Sequence, residues 1–376
     1  MKYLFVLDQY GAENNGVSVS ARRYAAVLRQ RGHEVRVLST GDCGENGYRV
    51  GELRIPIFDK LIKSHGMLFG KAERPVVRAA LEWADHVHFF MPFTLSIQTA
   101  NRAKKMGKPA TAAFHVQPQN ISYSIRMGRW SFANDFIYWL FRTDFYHKFN
   151  FIHCPSEMIA KQLAAHGYKA HCEVISNGIP PEFSFRREEK DPRWRDRFVI
   201  LMIGRLSREK RQDVLIDAVK RSRHAGEIQL LLAGQGPLHD AYSKQAQGLA
   251  HPLQMKFLSQ KDLRHVIAQC DLYVHTSDAE IEAMSCMEAF ACGRVPVIAD
   301  SPLSATPQFA LDARSLFRPG DPADLAERID YWIEHPQERL EMETAYARLA
   351  KEYSIDLCVD RFEAFTAEAR EKGSWA

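Results

Sequence analysis

The sequence predicts an α/β fold made of two doubly wound, Rossmann-like domains that face each other across a cleft. The chain has 376 residues, a length typical of two domains. Short, continuous apolar runs such as residues 3–7 and 198–203 are typical of buried parallel strands. Helical patterns separate such runs in both halves of the chain, as they do in doubly wound sheets.

Charge is distributed unevenly along a chain whose overall composition, 46% hydrophobic and 26% charged, is that of an ordinary globular protein. Residues 1–178 contain 23 Lys and Arg against 14 Asp and Glu, whereas residues 179–376 contain 27 against 32. A basic first half can attract an anionic surface such as a membrane. Ordinary scatter of surface charge explains the difference equally well.

The cysteines and the lack of a long apolar run indicate a cytoplasmic protein. Seven cysteines are scattered without a Cys-x-x-Cys pair, which is typical of reduced thiols. The apolar run at the N-terminus is too short for a signal peptide, and no run approaches the roughly 20 residues of a spanning helix. We therefore expect a cytoplasmic protein, soluble or peripheral on the inner face of the cell membrane.

The first domain, residues 1–178, is predicted to begin with a strand, a loop and a helix. The loop contains small residues and ends at Gly16, where a phosphate or sugar can approach the helix N-terminus. The loop lacks the Gly-x-Gly-x-x-Gly pattern, which argues against a dinucleotide. His115 follows the predicted strand 110–114, at the edge of the sheet where ligands bind, although a structural role for this histidine is equally compatible.

Residues 123–151 are unusually aromatic. Eleven aromatic residues fall in this stretch, and basic residues such as Arg126 and Arg129 are interleaved with them. A basic, aromatic helix can lie in a membrane interface. The alternative is a core helix whose aromatic face packs on the sheet. Single-stranded nucleic acid is disfavoured because no nucleic-acid-binding motif accompanies the aromatic residues.

The second domain is predicted at residues 198–353. Residues 179–197 are rich in charge and poor in apolar residues, which indicates a linker. The final residues, 354–376, form a predicted helix.

Charged residues follow two predicted strands of this second domain. Arg205 and Lys210 come after strand 198–203, and cations beside a helix start suit a diphosphate, although a solvated charge cluster is the alternative. Glu280 follows strand 271–274, and Glu288 comes about two helical turns later, which predicts both carboxylates roughly along one face. Carboxylates for vicinal hydroxyl groups and cations for a diphosphate together describe a nucleotide-sugar site. We expect no bound metal and no cofactor, because no His/Cys set has zinc-ligand spacing.

Several segments, in order along nearly the whole chain, resemble the family 4 retaining glycosyltransferases, which have the GT-B fold. These segments are Gly16 of the first loop, Ala113-Phe114-His115, Pro155-Ser156-Glu157, the run from Ile175 to Ile179, the run from Gly204 to Lys210, Gly234-Gln235-Gly236-Pro237, and Glu280 and Glu288 with the helix that ends at Gly293. The resemblance implies a hexosyltransferase that uses a nucleotide sugar as its co-substrate. It also implies that the last helix returns to the first domain.

The resemblance implies a role for each matching residue. Arg205 and Lys210 hold the donor diphosphate, His115 and Glu280 contact the donor sugar, and Glu288 holds the ribose. The sugar is transferred with retained configuration, and the leaving phosphate assists the incoming hydroxyl, so no protein nucleophile is required. The expected catalytic residues are His115, Arg205, Lys210 and Glu280, and the expected donor-binding residues are Gly16, Arg205, Lys210, Gly234, Leu258, Glu280, Ala283, Met284 and Glu288.

The chain departs from the family pattern between the two glutamates. The family has Gly-Phe-Gly after the first glutamate, whereas this chain has Ile281-Glu282-Ala283. Side chains must then be tolerated where the backbone approaches the donor, and Glu282 adds a charge. The family's Asp after the Asn-Gly-Ile turn is Pro180 here.

The expected function is hexose transfer from UDP-glucose or a similar UDP-hexose to a lipid or lipid-linked acceptor at the cytosolic face of a membrane. The expected partners are the nucleotide-sugar donor, a lipid or glycan acceptor and an anionic membrane surface, without nucleic acid. Arg126, Arg129 and Trp130 are the expected membrane or acceptor contacts. The alternatives are a soluble or polysaccharide acceptor, a GT-B sugar-nucleotide 2-epimerase, and a non-catalytic nucleotide-sugar-binding protein.

Overall fold

The computed structural model describes residues 1–11, 15–44, 46–53, 68–124 and 131–376. The chain forms two compact units, which we call the N unit and the C unit. The N unit contains Met1–Gly178 and Ile355–Ala376, and the C unit contains Ile179–Ser354. Each unit is built on its own parallel sheet, with helices between the strands.

The N unit has a seven-stranded sheet in the order β3-β2-β1-β4-β5-β6-β7, and each pair of neighbours is parallel. Its strands are β1 Lys2–Gln9, β2 Glu34–Thr40, β3 Tyr48–Arg49, β4 His86–Phe89, β5 Ala110–Ala113, β6 Phe151–Cys154 and β7 His171–Val174. Its helices before the domain boundary are α1 Gly16–Gln30, α2 Arg74–Trp83, α3 Thr94–Lys105, α4 Pro118–Ser124, α5 Ser131–Asp144 and α6 Glu157–Ala165. The order reverses between β1 and β4, which is the switch point where doubly wound sheets bind ligands.

The C unit has a six-stranded parallel sheet in the order β10-β9-β8-β11-β13-β15 and a separate pair, β12-β14. Its strands are β8 Phe198–Ile203, β9 Ile228–Ala233, β10 Gln254–Lys256, β11 Leu272–His275, β12 Ala279–Glu280, β13 Pro296–Ala299, β14 Leu303–Ser304 and β15 Leu316–Phe317. Its helices are α7 Gln212–Arg221, α8 His239–Gln245, α9 Gln260–Gln269, α10 Met284–Ala291, α11 Pro322–Glu334 and α12 Pro336–Leu349. The switch point here lies between β8 and β11.

The last helix, α13 (Ile355–Lys372), belongs to the N unit. Its Phe362 ring lies against the rings of Tyr3, Phe5 and His88. Arg31 at the end of α1 pairs with Asp360 at 2.6 Å. The final helix is therefore held by aromatic packing and by charge.

The charged stretch expected as a linker lies within the C unit and is attached to it. Arg187 donates to both carboxylate oxygens of Glu343 on α12, at 2.5 and 2.6 Å. Lys190 pairs with Asp271 at 2.5 Å, and the backbone N–H of Glu188 donates to the carbonyl of Ala268 at 3.1 Å. The charged side chains of this stretch therefore make contacts with the rest of the C unit.

The sequence pattern also predicts a strand at residues 255–258, a loop and a helix at 301–309 and a helix at 338–353, and the structure differs at each. Residues 301–309, expected as a loop and a helix, contain the two-residue strand β14 and a short 3-10 turn, Thr306–Phe309. The helix expected at 338–353 ends at Leu349 and continues as a 3-10 turn. The strand expected at 255–258 ends at Lys256, so Leu258 lies in the following loop.

All seven cysteines, each within the described ranges, are free thiols. In the part of the chain that the structure describes, no helix is both long enough and apolar enough to cross a bilayer.

Candidate donor site

Charged residues of the C unit meet at the carboxyl ends of β8 and β11, the two strands that flank the switch point. Arg205 and Lys210 follow β8, and Glu280 follows β11. The two segments are joined directly, since Thr276 Oγ1 donates to the carbonyl of Lys210 at 2.7 Å and the N–H of Asp278 donates to the carbonyl of Glu209 at 2.8 Å. The sheet therefore brings together groups that are far apart in the sequence.

An ion pair lies at the centre of this cluster. The Lys210 ammonium donates to Glu280 Oε2, and the two side chains are only 18% and 16% exposed. Burial by itself raises the pKa of Glu280, but the charge of Lys210 and the nearby His275 outweigh it and lower that pKa to about 2. Glu280 is thus a carboxylate at neutral pH, able to accept hydrogen bonds from hydroxyl groups.

A short strand pair, which the sequence does not predict, fixes the backbone of Glu280. Strand β12 pairs with β14, with Glu280 opposite Ser304, and the N–H of Ala305 donates to the Glu280 carbonyl at 2.8 Å. Ser301 Oγ donates to the Asp278 carbonyl at 2.5 Å. Residues 301–305 therefore belong to the support of the site. Two-residue strands carry too little periodicity to be found in a sequence.

The prediction that Glu280 and Glu288 share one face through helical spacing is wrong. Helix α10 begins only at Met284, because Ala283 before it has φ 62° and ψ 63°, a left-handed conformation. Glu280 lies in β12, outside the helix, whereas Glu288 lies inside it and is 4% exposed. Ala283 and Met284 thus form the start of a helix whose first N–H groups point away from the helix body.

Gly234 allows two backbone segments to approach each other closely. A Cβ atom at this position would lie 1.9 Å from the carbonyl oxygen of Gly204. The N–H of Leu206 also donates to the Gln235 carbonyl at 3.1 Å. This glycine is therefore required for the loop after β9 to support the loop that carries Arg205.

The predicted donor residues of the C unit fall into two groups. Arg205, Lys210, Glu280 and the start of α10 lie on the segments that follow β8 and β11. Leu258 lies in the loop beyond β10, which is two strands away from β8 in the sheet order.

A buried histidine that the sequence reasoning did not assign lies beside the ion pair. His275 is 0% exposed, and its Nε2 lies 3.5 Å from Glu280 Oε2. Its Nδ1 lies 3.1 Å from the hydroxyl of Tyr273. A sequence signal was present, because His275 is the last residue of a strand at the ligand-binding edge.

In the N unit, His115 lies two residues beyond β5 and is buried. Its ring stacks on Phe90 with centroids 5.6 Å apart, and among the described residues its Nε2 has no hydrogen-bond partner. Burial, and then the charge of His153, lowers the pKa of His115 well below its ordinary value. The ring is therefore neutral at physiological pH. Gly16 is exposed and is the first residue of α1, after Asn15, whose side chain accepts from the N–H of Val17 at 3.0 Å.

Helix α5 of the N unit, in the aromatic stretch, has both a buried and an exposed apolar face. Tyr138 and Phe141 of the helix, and Phe145 directly after it, are buried. The exposed face, which we call the ring face, consists of Phe132, Phe136, Trp139 and Leu140, which are 61%, 58%, 50% and 37% exposed. Arg126, Arg129 and Trp130, the expected membrane or acceptor contacts, lie outside the described residues.

Within the described ranges, no group of three or more His, Cys, Asp or Glu side chains is arranged to hold a metal ion. The cluster around Lys210 and Glu280 offers charge and hydrogen-bonding groups, which suit a diphosphate and sugar hydroxyl groups.

Two families match consecutive parts of the chain. The family described as Glycosyltransferase Family 4 matches residues 14–183, and the family described as Glycosyl transferases group 1 matches residues 184–350. Together these matches leave only the two ends of the chain uncovered.

Curated relatives and a solved structure agree with these matches. Alpha-monoglucosyldiacylglycerol synthase of Streptococcus pneumoniae is 24% identical over 310 residues, which cover 78% of this chain and 69% of that protein. GDP-mannose-dependent alpha-mannosyltransferase of Mycolicibacterium smegmatis is 27% identical over 315 residues, covering 80% of this chain and 79% of that protein. The structure of HepE from Anabaena in complex with UDP-glucose superposes with a TM-score of 0.73 at 18% identity, covering 99% of this chain and 100% of that one, and shows the shared fold. The chain belongs to the family 4 glycosyltransferases and is a retaining hexosyltransferase with the GT-B fold.

Proposed function

We propose that the chain transfers a hexose from a UDP-hexose, with UDP-glucose as the first candidate, to a lipid acceptor at the cytosolic face of a membrane. The observation that carries this proposal is the buried pair of Lys210 and Glu280 at the switch point of the C unit. One of the relatives is named alpha-monoglucosyldiacylglycerol synthase, and this name specifies a lipid acceptor. The name supports the choice of a lipid as the acceptor.

The donor is held by charge at one end and by hydroxyl recognition at the other. Lys210 and Arg205 neutralise the diphosphate, Glu280 accepts hydrogen bonds from the sugar, and Glu288 accepts them from the ribose. In the structure, the Lys210 ammonium donates a hydrogen bond to Glu280. When the donor arrives, the Lys210 ammonium turns to a phosphate oxygen and frees one Glu280 oxygen for the sugar.

Transfer breaks the bond between the anomeric carbon and the β-phosphate oxygen. The acceptor hydroxyl oxygen then bonds to the anomeric carbon on the same face, and its proton passes to the leaving phosphate oxygen. The cations stabilise the negative charge that develops on that phosphate, so the reaction needs no protein nucleophile. In the N unit, His115 is a neutral imidazole, and its unpartnered Nε2 suits a hydrogen bond to a sugar hydroxyl.

The ring face of α5 supports a membrane-bound acceptor. Phe132, Phe136 and Trp139 recur at helical spacing, and the Phe136 and Trp139 rings stack with centroids 5.7 Å apart. Exposed rings on one side of a helix lower their free energy by entering the interface of a bilayer. The excess of cations in residues 1–178 favours an anionic surface.

The transfer is tested with UDP-[14C]glucose, anionic vesicles that contain diacylglycerol, and a parallel reaction with a soluble sugar acceptor. We expect label in the lipid fraction with retained anomeric configuration, and none with Glu280→Ala. Label in the soluble sugar alone would overturn the lipid acceptor. Conversion of the UDP-sugar to its 2-epimer without transfer would identify the epimerase instead.

The membrane contact is tested separately by co-sedimentation with anionic vesicles. A Phe136→Ser/Trp139→Ser double variant should lose vesicle binding, as should Arg126→Ala/Arg129→Ala. Leu340→Ser on α12, which removes a side chain that is 46% exposed in the C unit, is the matched control and should bind as the wild type does. Equal binding by all these variants would remove the membrane from the proposal and leave the transfer unaffected.

A further inference from the structure

We infer that His275 is a positioning residue that orients Glu280 toward the donor sugar, as one member of a buried chain of polar contacts that begins at Ser285. The inference rests on the proposed function, since it takes Glu280 as the residue that binds the sugar. It adds a determinant of sugar binding that lies behind the carboxylate.

The chain of contacts is continuous. Ser285 Oγ, on the first turn of α10, lies 3.0 Å from the Tyr273 hydroxyl. That hydroxyl lies 3.1 Å from His275 Nδ1. His275 Nε2 lies 3.5 Å from Glu280 Oε2, a polar contact longer than a hydrogen bond, and among the described residues it has no hydrogen-bond partner. Tyr273 and His275 alternate along β11 and are both fully buried. The backbone therefore fixes their rings relative to each other.

The protonation of the carboxylate determines the direction of the chain. Glu280 is ionised, so Oε2 can only accept, and the nitrogen that faces it must carry a proton. With the proton on Nε2, the lone pair of Nδ1 accepts from the Tyr273 hydroxyl. The Ser285 hydroxyl has two acceptors within reach, the Tyr273 oxygen at 3.0 Å and the carbonyl oxygen of Ile203 at 3.4 Å. The opposite tautomer would direct a nitrogen lone pair at a carboxylate.

This arrangement leaves one side of the carboxylate for a ligand. Glu280 Oε2 accepts from the Lys210 ammonium and faces His275 Nε2 at 3.5 Å. When Lys210 turns to a diphosphate, His275 remains as the contact that keeps the carboxylate in place. A carboxylate that is held while its cation moves loses less rotational freedom on binding the sugar.

The test compares the binding of UDP-glucose and of UDP by calorimetry in the full chain. His275→Leu should weaken UDP-glucose binding by about tenfold, the size expected when a buried polar contact to a charged group is lost, and leave UDP binding unchanged because UDP has no sugar. His275→Gln should recover most of the affinity, because its amide N–H lies close to the place of Nε2. His275→Asn, whose amide is one carbon shorter, should not. Ser285→Ala, at the far end of the chain, should show a smaller loss confined to UDP-glucose.

Two results would overturn the inference. One is an equal loss of UDP and UDP-glucose binding in His275→Leu, which would indicate a purely structural histidine. The other is a His275→Gln variant no better than His275→Leu. Glu280→Ala distinguishes the proposed sugar contact of Glu280 from the proposed role of His275. If this variant binds UDP-glucose normally, the sugar contact of the proposed function is wrong. If it loses that binding while His275→Leu does not, only the role of His275 is wrong.

Discussion

The ammonium of Lys210 contacts the carboxylate of Glu280, although 70 positions separate the two residues in the sequence. They meet because β8 and β11 are neighbours in the sheet of the C unit, and each residue lies on the segment that follows one of these strands. Both groups are mostly buried, and the charge of Lys210 stabilises the ionised form of Glu280. The pair therefore links the stability of this unit to the residues proposed to hold the donor.

The first prediction concerns the stability of the protein in acid. The pKa of Glu280 is about 2 in the folded chain against an ordinary value of 4.5, because Lys210 and His275 outweigh the effect of burial. A lowered pKa adds stability that is fully present above pH 4.5 and is lost as the pH falls toward 2. Urea unfolding of wild type and Glu280→Gln should therefore give a difference in unfolding free energy that shrinks by about 2 kcal/mol between roughly pH 6 and pH 3. A difference that does not change with pH would show that the pair is not formed in solution.

The second prediction concerns Gly234. Gly234→Ala should destabilise the protein by about 1–3 kcal/mol, because its Cβ would overlap the backbone oxygen of Gly204 and the loops must move apart. Thermal or urea unfolding measures the change. Gly226→Ala is the matched control, since no atom lies within 4 Å of the added Cβ and the site is exposed. Equal stability of the two variants would contradict the close approach.

A third prediction addresses the left-handed residue before α10. Ala283 has φ 62°, where a Cβ costs energy and glycine does not. Ala283→Gly should raise the unfolding free energy by about 0.5 kcal/mol, the relief of strain less the extra entropy of an unfolded glycine. Ala289→Gly, in the same helix but with ordinary helical geometry, should instead lower it by about 1 kcal/mol or more. Destabilisation by both changes would argue against the left-handed conformation.

The fourth prediction concerns the charged segment before β8. Glu343 is buried between Arg187 and the fully buried Arg294, whose guanidinium lies 3.8 Å away. Glu343→Gln should cost about 3–5 kcal/mol, because it leaves the charge of Arg294 without its partner. Glu82→Gln is the control, since it removes an exposed pair with Arg78 that contributes little to stability. Chemical unfolding measures the loss of unfolding free energy in both variants. Similar losses in the two would mean that the buried ion pairs of Glu343 stabilise the protein no more than the exposed pair does.

Sheet strands such as β1 and β8 were predictable because each contains a continuous buried apolar run, as in residues 198–203, which form β8 as expected. The ends of a helix were predictable where a capping residue is present, as in α6. At its start, Ser156 accepts from the N–H of Ile159, and after its end Gly167 has a positive φ of 74°. These signals are local, so a single sequence carries them.

The details of the site were less predictable because they depend on contacts between distant segments. Alanine at position 283 gives no sign of a left-handed turn, so the helical spacing of Glu280 and Glu288 was misleading. The support from residues 301–305 and the position of His275 arise only when β11 and β13 lie side by side. Similarly, the aromatic stretch does not reveal which rings are buried, because its buried and exposed faces differ only by position around α5.

We propose that Lys210 and Glu280 form the core of a nucleotide-sugar site. Donor binding at this site is tested by thermal and urea unfolding of the full chain with UDP-glucose, other UDP-hexoses, GDP-mannose and UDP. At a hundred times its dissociation constant, the true donor should raise the unfolding free energy of the wild type by about 2.7 kcal/mol. Lys210→Ala and Glu280→Ala should lose most of that gain at the same concentration. The claim is contradicted if no nucleotide sugar stabilises the wild type, or if the two variants are stabilised as much as the wild type.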